Sequence, residues 1–197
     1  YQLTEADRTV IGNTTPKFSG GFGLNATYKG FDMSMFFNFM YDFDVLNANK
    51  IMLTTWADNK ENNFLMDIAS DKRWRNFDDM GNEIRYSPEV LAEFNKNATM
   101  WNPTSIGRPI CMSYAVEDGS FLRLNSATLG YTLPSVWTKK VGLSKVRFYV
   151  SGNNLFTLTG YSGYDPEVNI ATGLTPNIDY NRYPRSRTYT FGAQLTF

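Results

Sequence analysis

The sequence TYTFGAQLTF at residues 188–197 alternates between apolar and neutral polar side chains. Successive side chains of a β-strand point to opposite faces, so this period of two predicts a strand with one apolar face. The pattern continues to the aromatic Phe197, whereas the ends of soluble domains are more often frayed and polar. We therefore expect an all-β, antiparallel fold in which this is a strand of an outer-membrane β-barrel. Its apolar face carries the residues expected to act as a C-terminal assembly signal: Tyr189, Phe191, Leu195 and Phe197.

The composition excludes several classes of function. Lys and Arg number 19, as do Asp and Glu, so no net charge directs the chain to nucleic acid. Histidine is absent and Cys111 is the single cysteine, which excludes His-based triads, multi-cysteine metal sites and an internal disulfide. We expect Cys111 to be inert, and we expect neither a cofactor nor a metal. No apolar run of about 18 residues occurs, so a membrane would be crossed by strands.

A hairpin is predicted over residues 18–43. Both halves alternate, and the turn Lys29-Gly30 separates them. The second half, residues 31–43, is about twice the usual strand length. At about 3.3 Å per residue and a tilt of about 40° it spans roughly 33 Å, which is enough to cross a bilayer.

The rest of the chain alternates in the same way, and its connections are unequal in length. The predicted segments are a loop at 1–17, the hairpin, a long loop at 44–118, a strand pair at 119–158, a second long loop at 159–184 and a terminal strand at 185–197. Outer-membrane barrels have short turns on the periplasmic side and long loops outside. We therefore expect both long loops to be extracellular and the C-terminus to be periplasmic.

The loop 44–118 contains one predicted helix and several aromatic residues. Ser87 is placed to cap this helix and Pro88 to begin it, while a second helix within 57–73 is only weakly indicated. Aromatic faces suit the C–H faces of sugar rings, and the alternative is that the rings pack the loop against itself or a partner. The candidates for substrate binding are Trp56, Trp74, Trp101 and Tyr114.

The two faces of the predicted strands are assigned to different environments. The apolar side is expected to face lipid and includes Phe22, Leu24, Phe37, Phe39, Leu129, Val150, Phe191 and Leu195. The polar side is expected to face the barrel lumen or a plug and includes Asn25, Thr27, Asp32, Ser34, Arg147, Tyr149, Ser151 and Asn153. Neutral, hydrogen-bonding side chains of this kind suit a watery or plugged interior.

The acidic pairs in the loops are not spaced for calcium binding or for glycoside hydrolysis. Calcium needs six or more oxygen ligands, and none of the loops has the spacing of a calcium loop. Glycosidase chemistry needs two carboxylates held rigidly about 5–10 Å apart. We therefore expect solvated charges at Asp78-Asp79, Glu117-Asp118 and Asp165 with Glu167, and rim positions for Arg185 and Arg187.

Five stretches resemble the C-terminal part of the SusC/RagA-type TonB-dependent outer-membrane transporters of Bacteroidetes. They are DRTVIGNTTPKFSGGF (7–22), YKGFDMSMFF (28–37), EDGSFLRLNSATLGYTLP (117–134), VRFYVSGNNLFTLTGYSGYDPEV (146–168) and YPRSRTYTFGAQLTF (183–197). Their order and spacing fit the family and cover every predicted strand, whereas the loop 44–118 matches less well. The resemblance implies about five C-terminal strands of a plugged barrel of about 22 strands.

The resemblance also implies partners. These are the remainder of the barrel and the plug domain, the TonB complex acting through an N-terminal region, a SusD-like surface lipoprotein as a lid, outer-membrane lipid, and a dimer of transporter–lipoprotein pairs. The plug and that N-terminal region are not in this chain. Five strands alone leave two open edges, whose backbone groups are unsatisfied in lipid. We therefore expect the chain to be a piece of a longer polypeptide.

The leading functional interpretation is part of an active importer of oligosaccharides or peptides, and not an enzyme. The alternative is a structural or adhesive outer-membrane barrel, and a plug with a TonB-contacting segment would decide against it. A membrane-embedded hydrolase is disfavoured because no histidine is present to act as a base. A soluble β-sandwich adhesin explains the alternation, but not the strand lengths or the unequal loops.

Overall fold

The computed structural model describes residues 5–55, 63–68, 72–105, 110–168 and 177–197. The strands of this part are β1 (Phe18–Tyr28), β2 (Phe31–Tyr41), β3 (Asp44–Asn47), β4 (Val116–Asp118), β5 (Phe121–Thr132), β6 (Lys145–Thr159), β7 (Ile178–Asp179) and β8 (Thr188–Thr196). Its helices are α1 (Ala48–Met52), α2 (Pro88–Asn95) and α3 (Ser135–Thr138). Single 3-10 turns occupy Glu5–Asp7, Met66–Ile68, Pro103–Ser105, Ser113–Ala115 and Lys139–Val141. Within these residues, the helices are all too short or too polar to cross a membrane.

The long strands form one antiparallel sheet, as the alternation predicted. Its order is β1-β2-β5-β6-β8, and a small three-stranded sheet has the order β4-β3-β7. The first hairpin turns at Lys29 (φ 47°) and Gly30 (φ 90°), two positive φ values that match the twist of the flanking strands. Between β5 and β6 the connector 134–144 contains α3 and a 3-10 turn. Gly142, which follows that turn, has a left-handed backbone conformation (φ 76°).

The register separates apolar and polar side chains onto opposite faces of the sheet. Directly opposed residues of neighbouring strands share a face. One continuous row across all five strands is Ala26, Met33, Leu129, Val150 and Phe191. The adjacent row on the other face is Asn25, Ser34, Thr128, Ser151 and Thr190. We refer to these two surfaces as the apolar face and the polar face.

A β-bulge interrupts the register between Leu124 and Ser126. Because Asn125 is an extra residue, the alternation of β5 changes sides at this point. Leu124 lies opposite Phe37 on the apolar face, and Arg123 lies opposite Asn38 on the polar face. On β6 the irregularity includes Asn154, whose φ is 53°. A strict period of two along residues 120–133 misses this change.

Contacts between residues divide the chain into two compact units. Unit 1 comprises Tyr1–Val45, Glu117–Ile178 and Arg182–Phe197, and contains the five-stranded sheet. Unit 2 comprises Leu46–Val116 and Asp179–Asn181, and contains α1 and α2. The long connection predicted at 44–118 is therefore mostly a compact unit of its own.

Helix α2 begins at Pro88 as expected, but its details differ from the prediction. Ser87 makes no side-chain hydrogen bond to the helix, so it is not a capping residue in the expected sense. Val90 of this helix is 42% exposed. The buried residue is Asn95, whose side-chain amide donates to the Arg75 carbonyl at 2.9 Å. Most of the weakly indicated helix at 57–73 lies outside the described residues.

Candidate functional site

The apolar face is largely uncovered. All eight residues expected to face lipid lie on it, since each is opposed in the register by another residue of that face. Phe22 and Phe37 stack across the first hairpin with ring centroids 4.9 Å apart. Leu24 is 51% exposed and Phe191 is 80% exposed. Contiguous exposed apolar surface of this kind marks contact with a membrane or another protein.

The residues proposed as an assembly signal are also exposed. Tyr189, Phe191 and Leu195 lie on the apolar face of β8, and Phe197 follows the strand. Their exposed fractions are 61%, 80%, 51% and 91%, in the order of the chain. None of these side chains contributes to the buried core of unit 1 in the described structure.

The polar face holds all eight residues expected to face the lumen. Near the short-turn end of this face, Arg147 of β6 and Asp32 of β2 form a two-bond ion pair across β5, with Nε donating to Oδ1 at 2.9 Å. Gly130 of β5 lies beneath this pair, and a Cβ there would be 2.6 Å from Asp32 Oδ1. Because Gly130 has no side chain, the ion pair can cross β5 and join β2 to β6, which are not neighbours in the sheet.

Aromatic rings lie against glycines elsewhere on the polar face. A Cβ at Gly192 would meet the Tyr149 ring, and a Cβ at Gly21 would lie 2.8 Å from Phe36 Cζ. The Arg147 guanidinium carbon is 5.2 Å from the centroid of the Tyr149 ring, within the range of a cation–π contact. An ion pair and contacts of aromatic rings therefore join strands of the sheet on the polar face.

One end of the polar face is covered by the segment 160–168. Tyr161 and Val168 of this segment form a buried cluster with Phe43, Val45 and Phe121. Met40, on the polar face of β2, packs against the same cluster. The chain thus buries part of the polar face with its own residues while it leaves most of the apolar face exposed.

A buried charge cluster anchors this segment, and the sequence analysis did not find it. The Arg123 side chain is 2% exposed and pairs with Asp165. Its Nη1 lies 3.3 Å from Glu167 Oε2, and Arg185 pairs with Glu167 at 2.7 Å. The expectation that Asp165 and Glu167 are solvated charges is wrong, because Arg123 draws both to the sheet. The feature of the sequence that could have revealed this cluster is an arginine within an otherwise apolar strand. Its partner Asp165 lies 42 residues further along the chain.

The other acidic pairs also accept hydrogen bonds, over long range from Glu117 and within a turn from Asp78. Glu117 accepts hydrogen bonds from the backbone and hydroxyl of Ser162 at 3.0 and 2.9 Å. In unit 2, Asp78 accepts the side-chain amide of Asn82 and backbone N–H groups of residues 80 and 82. These bonds, the Asn82 amide first, hold the pKa of the Asp78 carboxyl below its usual range. The described residues contain no group of three or more acidic or cysteine side chains arranged to hold a metal.

Two of the aromatic candidates in unit 2 pack against each other. Trp101 and Tyr114 meet edge to face with centroids 5.2 Å apart. The Trp101 indole N–H donates to the Thr54 carbonyl at 3.2 Å, and the Tyr114 hydroxyl donates to Asp67 at 2.7 Å. Lys50 lies over the Tyr114 ring, 5.2 Å from its centroid. Both rings therefore make contacts within unit 2.

Of the two remaining aromatic candidates, Trp74 is among the described residues and Trp56 is not. Trp74 is 41% exposed, and its backbone N–H donates to the Met100 carbonyl at 2.8 Å. Cys111 is exposed and unpaired.

Unit 2 also exposes apolar side chains that the sequence analysis did not single out. They surround the turn that Asp78 holds: Phe77 is 49%, Met80 is 85% and Tyr86 is 78% exposed. We refer to Phe77, Met80 and Tyr86 as the unit 2 tip. A backbone bridge between Phe77 and Glu83 closes the base of this turn. The tip is therefore apolar and exposed, yet locally constrained by hydrogen bonds.

A largely exposed apolar face and a polar face that the chain partly covers with its own segment define the class of this protein, a piece of the wall of an outer-membrane β-barrel. Comparison with known proteins agrees. The chain is 35% identical over its whole length to TonB-dependent receptor P3 of Formosa agariphila, of which it spans 18%. It is 38% identical over 88 residues, 43% of the chain, to TonB-dependent receptor SusC of Bacteroides thetaiotaomicron, of which it spans 8%.

Solved structures give the same result. The whole chain superposes on 19% of a chain in the structure of the RagAB peptide importer in its closed-closed state, with a TM-score of 0.75 and 25% identity. No protein-family model matches. The chain is therefore homologous to a part of the TonB-dependent receptors of the SusC/RagA type.

These comparisons confirm several expectations from the sequence. The fold is a portion of an antiparallel transmembrane barrel that does not close by itself. The location is the outer membrane, and the chain is not part of an enzyme, because its relatives are receptors and importers. The chain spans less than a fifth of the relatives that it matches along its whole length.

Proposed function

We propose that the chain forms part of the wall of a TonB-dependent importer of oligosaccharides or peptides. The observation that carries this proposal is the match along the whole chain to TonB-dependent receptors and to a peptide importer. In this proposal the rest of the barrel and the plug belong to the same polypeptide. The TonB complex then acts through the N-terminal region of that polypeptide.

The apolar face contacts lipid and the polar face lines the lumen or contacts the plug. Two aromatic groups on the apolar face support this orientation: Phe18 opposite Tyr41 at one end, and Tyr28, Phe31, Tyr131 and Phe148 at the other. They are separated along β1 by about ten steps of about 3.4 Å, or roughly 25 Å in height at a tilt of about 40°. This height equals the apolar band between the aromatic girdles of outer-membrane barrels, which is about 25 Å.

The orientation across the membrane follows from the connections. The short connections at 29–30 and 134–144 are periplasmic, since outer-membrane barrels have their short turns on that side. The C-terminus is periplasmic as well. The connections that contain unit 2 and residues 160–187 are extracellular.

Unit 2 docks a SusD-like surface lipoprotein through the unit 2 tip. Large exposed apolar side chains on an ordered turn can enter a partner's pocket with little ordering cost, and such anchors often contribute about 2 kcal/mol or more to binding. This docking is preferred to solute stacking, because Trp101 and Tyr114 are occupied within unit 2. Two transporter–lipoprotein pairs form the complete assembly.

Docking is tested by replacing Phe77, Met80 and Tyr86 together with Ser in the full-length transporter. Co-purification of the lipoprotein should fall by about 30-fold or more, while the amount of folded barrel in the membrane stays unchanged. The matched control is Val136→Ser with Val141→Ser, two exposed apolar residues (69% and 70%) on the connector 134–144. Retention of the lipoprotein by the tip variant would refute docking at this surface.

Import is tested by uptake of fluorescent oligopeptide and oligosaccharide libraries into cells with and without the transporter gene. The proposal expects uptake of one library to depend on both the gene and the TonB system. Uptake of neither library, together with normal surface adhesion, would favour a structural or adhesive barrel instead.

A further inference from the structure

Arg123 is the centre of a network that joins three parts of unit 1. It belongs to β5, its carboxylate partners Asp165 and Glu167 belong to the segment leaving β6, and Arg185 precedes β8. Two cations and two carboxylates balance each other within this network. Because the Arg123 side chain is 2% exposed, its pairing is shielded from water and salt far more than a surface ion pair is.

The partners of Arg123 are preorganised by a tight turn. Asp165 Oδ1 accepts the backbone N–H of Glu167 at 2.9 Å, and the residue between them is the buried Pro166. An Asp side chain that binds the backbone two residues ahead, with proline fixing the intervening φ, makes a stiff Asx-turn. The turn thus holds the Asp165 carboxylate and the backbone of Glu167 in place beside the guanidinium.

The same network fixes the segment that returns to β8. Glu167 binds Arg123 and Arg185, so the outgoing and returning segments share one carboxylate. A second tie is made by the Asn154 side-chain amide, which donates to the Ser186 carbonyl at 3.0 Å. Asn154 is the left-handed residue of the β6 irregularity, a conformation that Asn tolerates better than most residues.

Two exposed tyrosines flank the network. Tyr164 precedes Asp165 and is 84% exposed, and Tyr183 lies two residues before Arg185 and is 87% exposed. Neither ring belongs to the buried cluster that covers the end of the polar face. Their positions therefore depend on how the network holds the backbone beside them.

We propose that Arg123 is a positioning residue for solute binding. It fixes residues 160–168, and through Glu167 and Arg185 the residues 183–187, in one arrangement over the polar face. Tyr164 and Tyr183 are then presented to solute at the mouth of the lumen. This proposal rests on the proposed function, in which the polar face lines the path of the solute.

The first test measures hydrogen exchange in the full-length transporter in lipid nanodiscs. Arg123→Met leaves two carboxylates close together without their buried counter-charge, which strongly destabilises such a site. Amide exchange in residues 160–168 should accelerate at least tenfold, since it reports the local opening of that segment. The control Lys17→Gln breaks an exposed ion pair of the same unit and should leave this exchange unchanged.

A charge-balanced variant separates positioning from general damage to the fold. Combining Arg123→Met with Asp165→Asn and Glu167→Gln removes the buried charges together, and such replacement is usually tolerated. Exchange in residues 160–168 should return to within about threefold of the unmodified transporter. If Arg123→Met alone exchanges no faster than the Lys17→Gln control, Arg123 does not hold the segment and the proposal is overturned.

The second test measures uptake of the library that the unmodified transporter imports. Arg123→Met should raise the half-saturating concentration at least fivefold at an unchanged number of inserted barrels, and Tyr164→Ala with Tyr183→Ala should do the same without faster exchange. Unchanged half-saturation despite faster exchange would overturn the positioning role. If the unmodified transporter imports neither library, the proposed function fails, and the exchange comparison alone decides whether Arg123 fixes the segment.

Discussion

Replacing Leu24 with Arg places a charge near the middle of the apolar face. Leu24 is 51% exposed and lies about 20 Å along β1 from Phe18 and about 14 Å from Tyr28, at about 3.4 Å per residue. A lipid-facing Arg at the midplane of a barrel costs about 2–4 kcal/mol, and one near the interface costs about 0–1 kcal/mol. Leu24→Arg should therefore destabilise the barrel by about 2–4 kcal/mol, a loss of about 30-fold or more in the ratio of folded to unfolded protein.

Two control variants of the same strand make this prediction specific. Asn25→Arg places the charge at about the same depth but on the polar face. Phe18→Arg places it on the apolar face, at the end of β1 where Phe18 is opposite Tyr41. Both should cost less than about 1 kcal/mol. The assay is urea-induced unfolding of the full-length transporter in phospholipid vesicles, followed by fluorescence. Equal destabilisation by Leu24→Arg and Asn25→Arg would refute the assignment of the two faces.

Three further predictions concern single residues. Gly30→Ala should cost about 1–3 kcal/mol more than Gly142→Ala in the same unfolding assay, because both residues are left-handed but only at Gly30 would a Cβ meet a carbonyl oxygen, at 2.9 Å; equal costs would contradict this. The Asp78 turn should keep its full stability above about pH 4, the ordinary value for Asp, and lose it as the pH falls through the lowered pKa of Asp78. Protease cleavage of this turn should show that loss, and Asp78→Asn should abolish the pH dependence. Arg147→Met should destabilise the barrel more than Lys17→Gln does, because it breaks a two-bond pair that is less exposed than the Lys17–Asp42 pair; the reverse order would contradict a structural role for the Arg147–Asp32 pair.

The strands and their faces were predictable from local pattern. The period of two in residues 18–28 and 31–41 gave both the hairpin and the face of each side chain, and the turn at Lys29-Gly30 is where Gly is needed. These properties depend on residues that are close together along the chain, so they can be predicted from a single sequence. The family resemblance then related the five strands to a known barrel.

The features that the sequence missed all depend on long-range contacts. The bulge at Asn125 changes the face of Arg123, and no local pattern marks one extra residue in an alternating strand. Asp165 then appears as an ordinary loop charge until β5 brings Arg123 beside it. Likewise, Tyr114 looks available for solute until Trp101 and Lys50 occupy its ring.

A nitroxide scan along β1 measures which side chains contact lipid and which face the lumen. A spin label is placed in turn at each of residues 20–27 of the full-length transporter in vesicles, with Cys111 replaced by Ser. We expect collisions with oxygen, which concentrates in lipid, to peak at Phe22, Leu24 and Ala26, and a water-soluble nickel complex to reach these positions least. Equal access of the nickel complex to successive residues, or access that peaks at Leu24, would show that the apolar face does not contact the membrane.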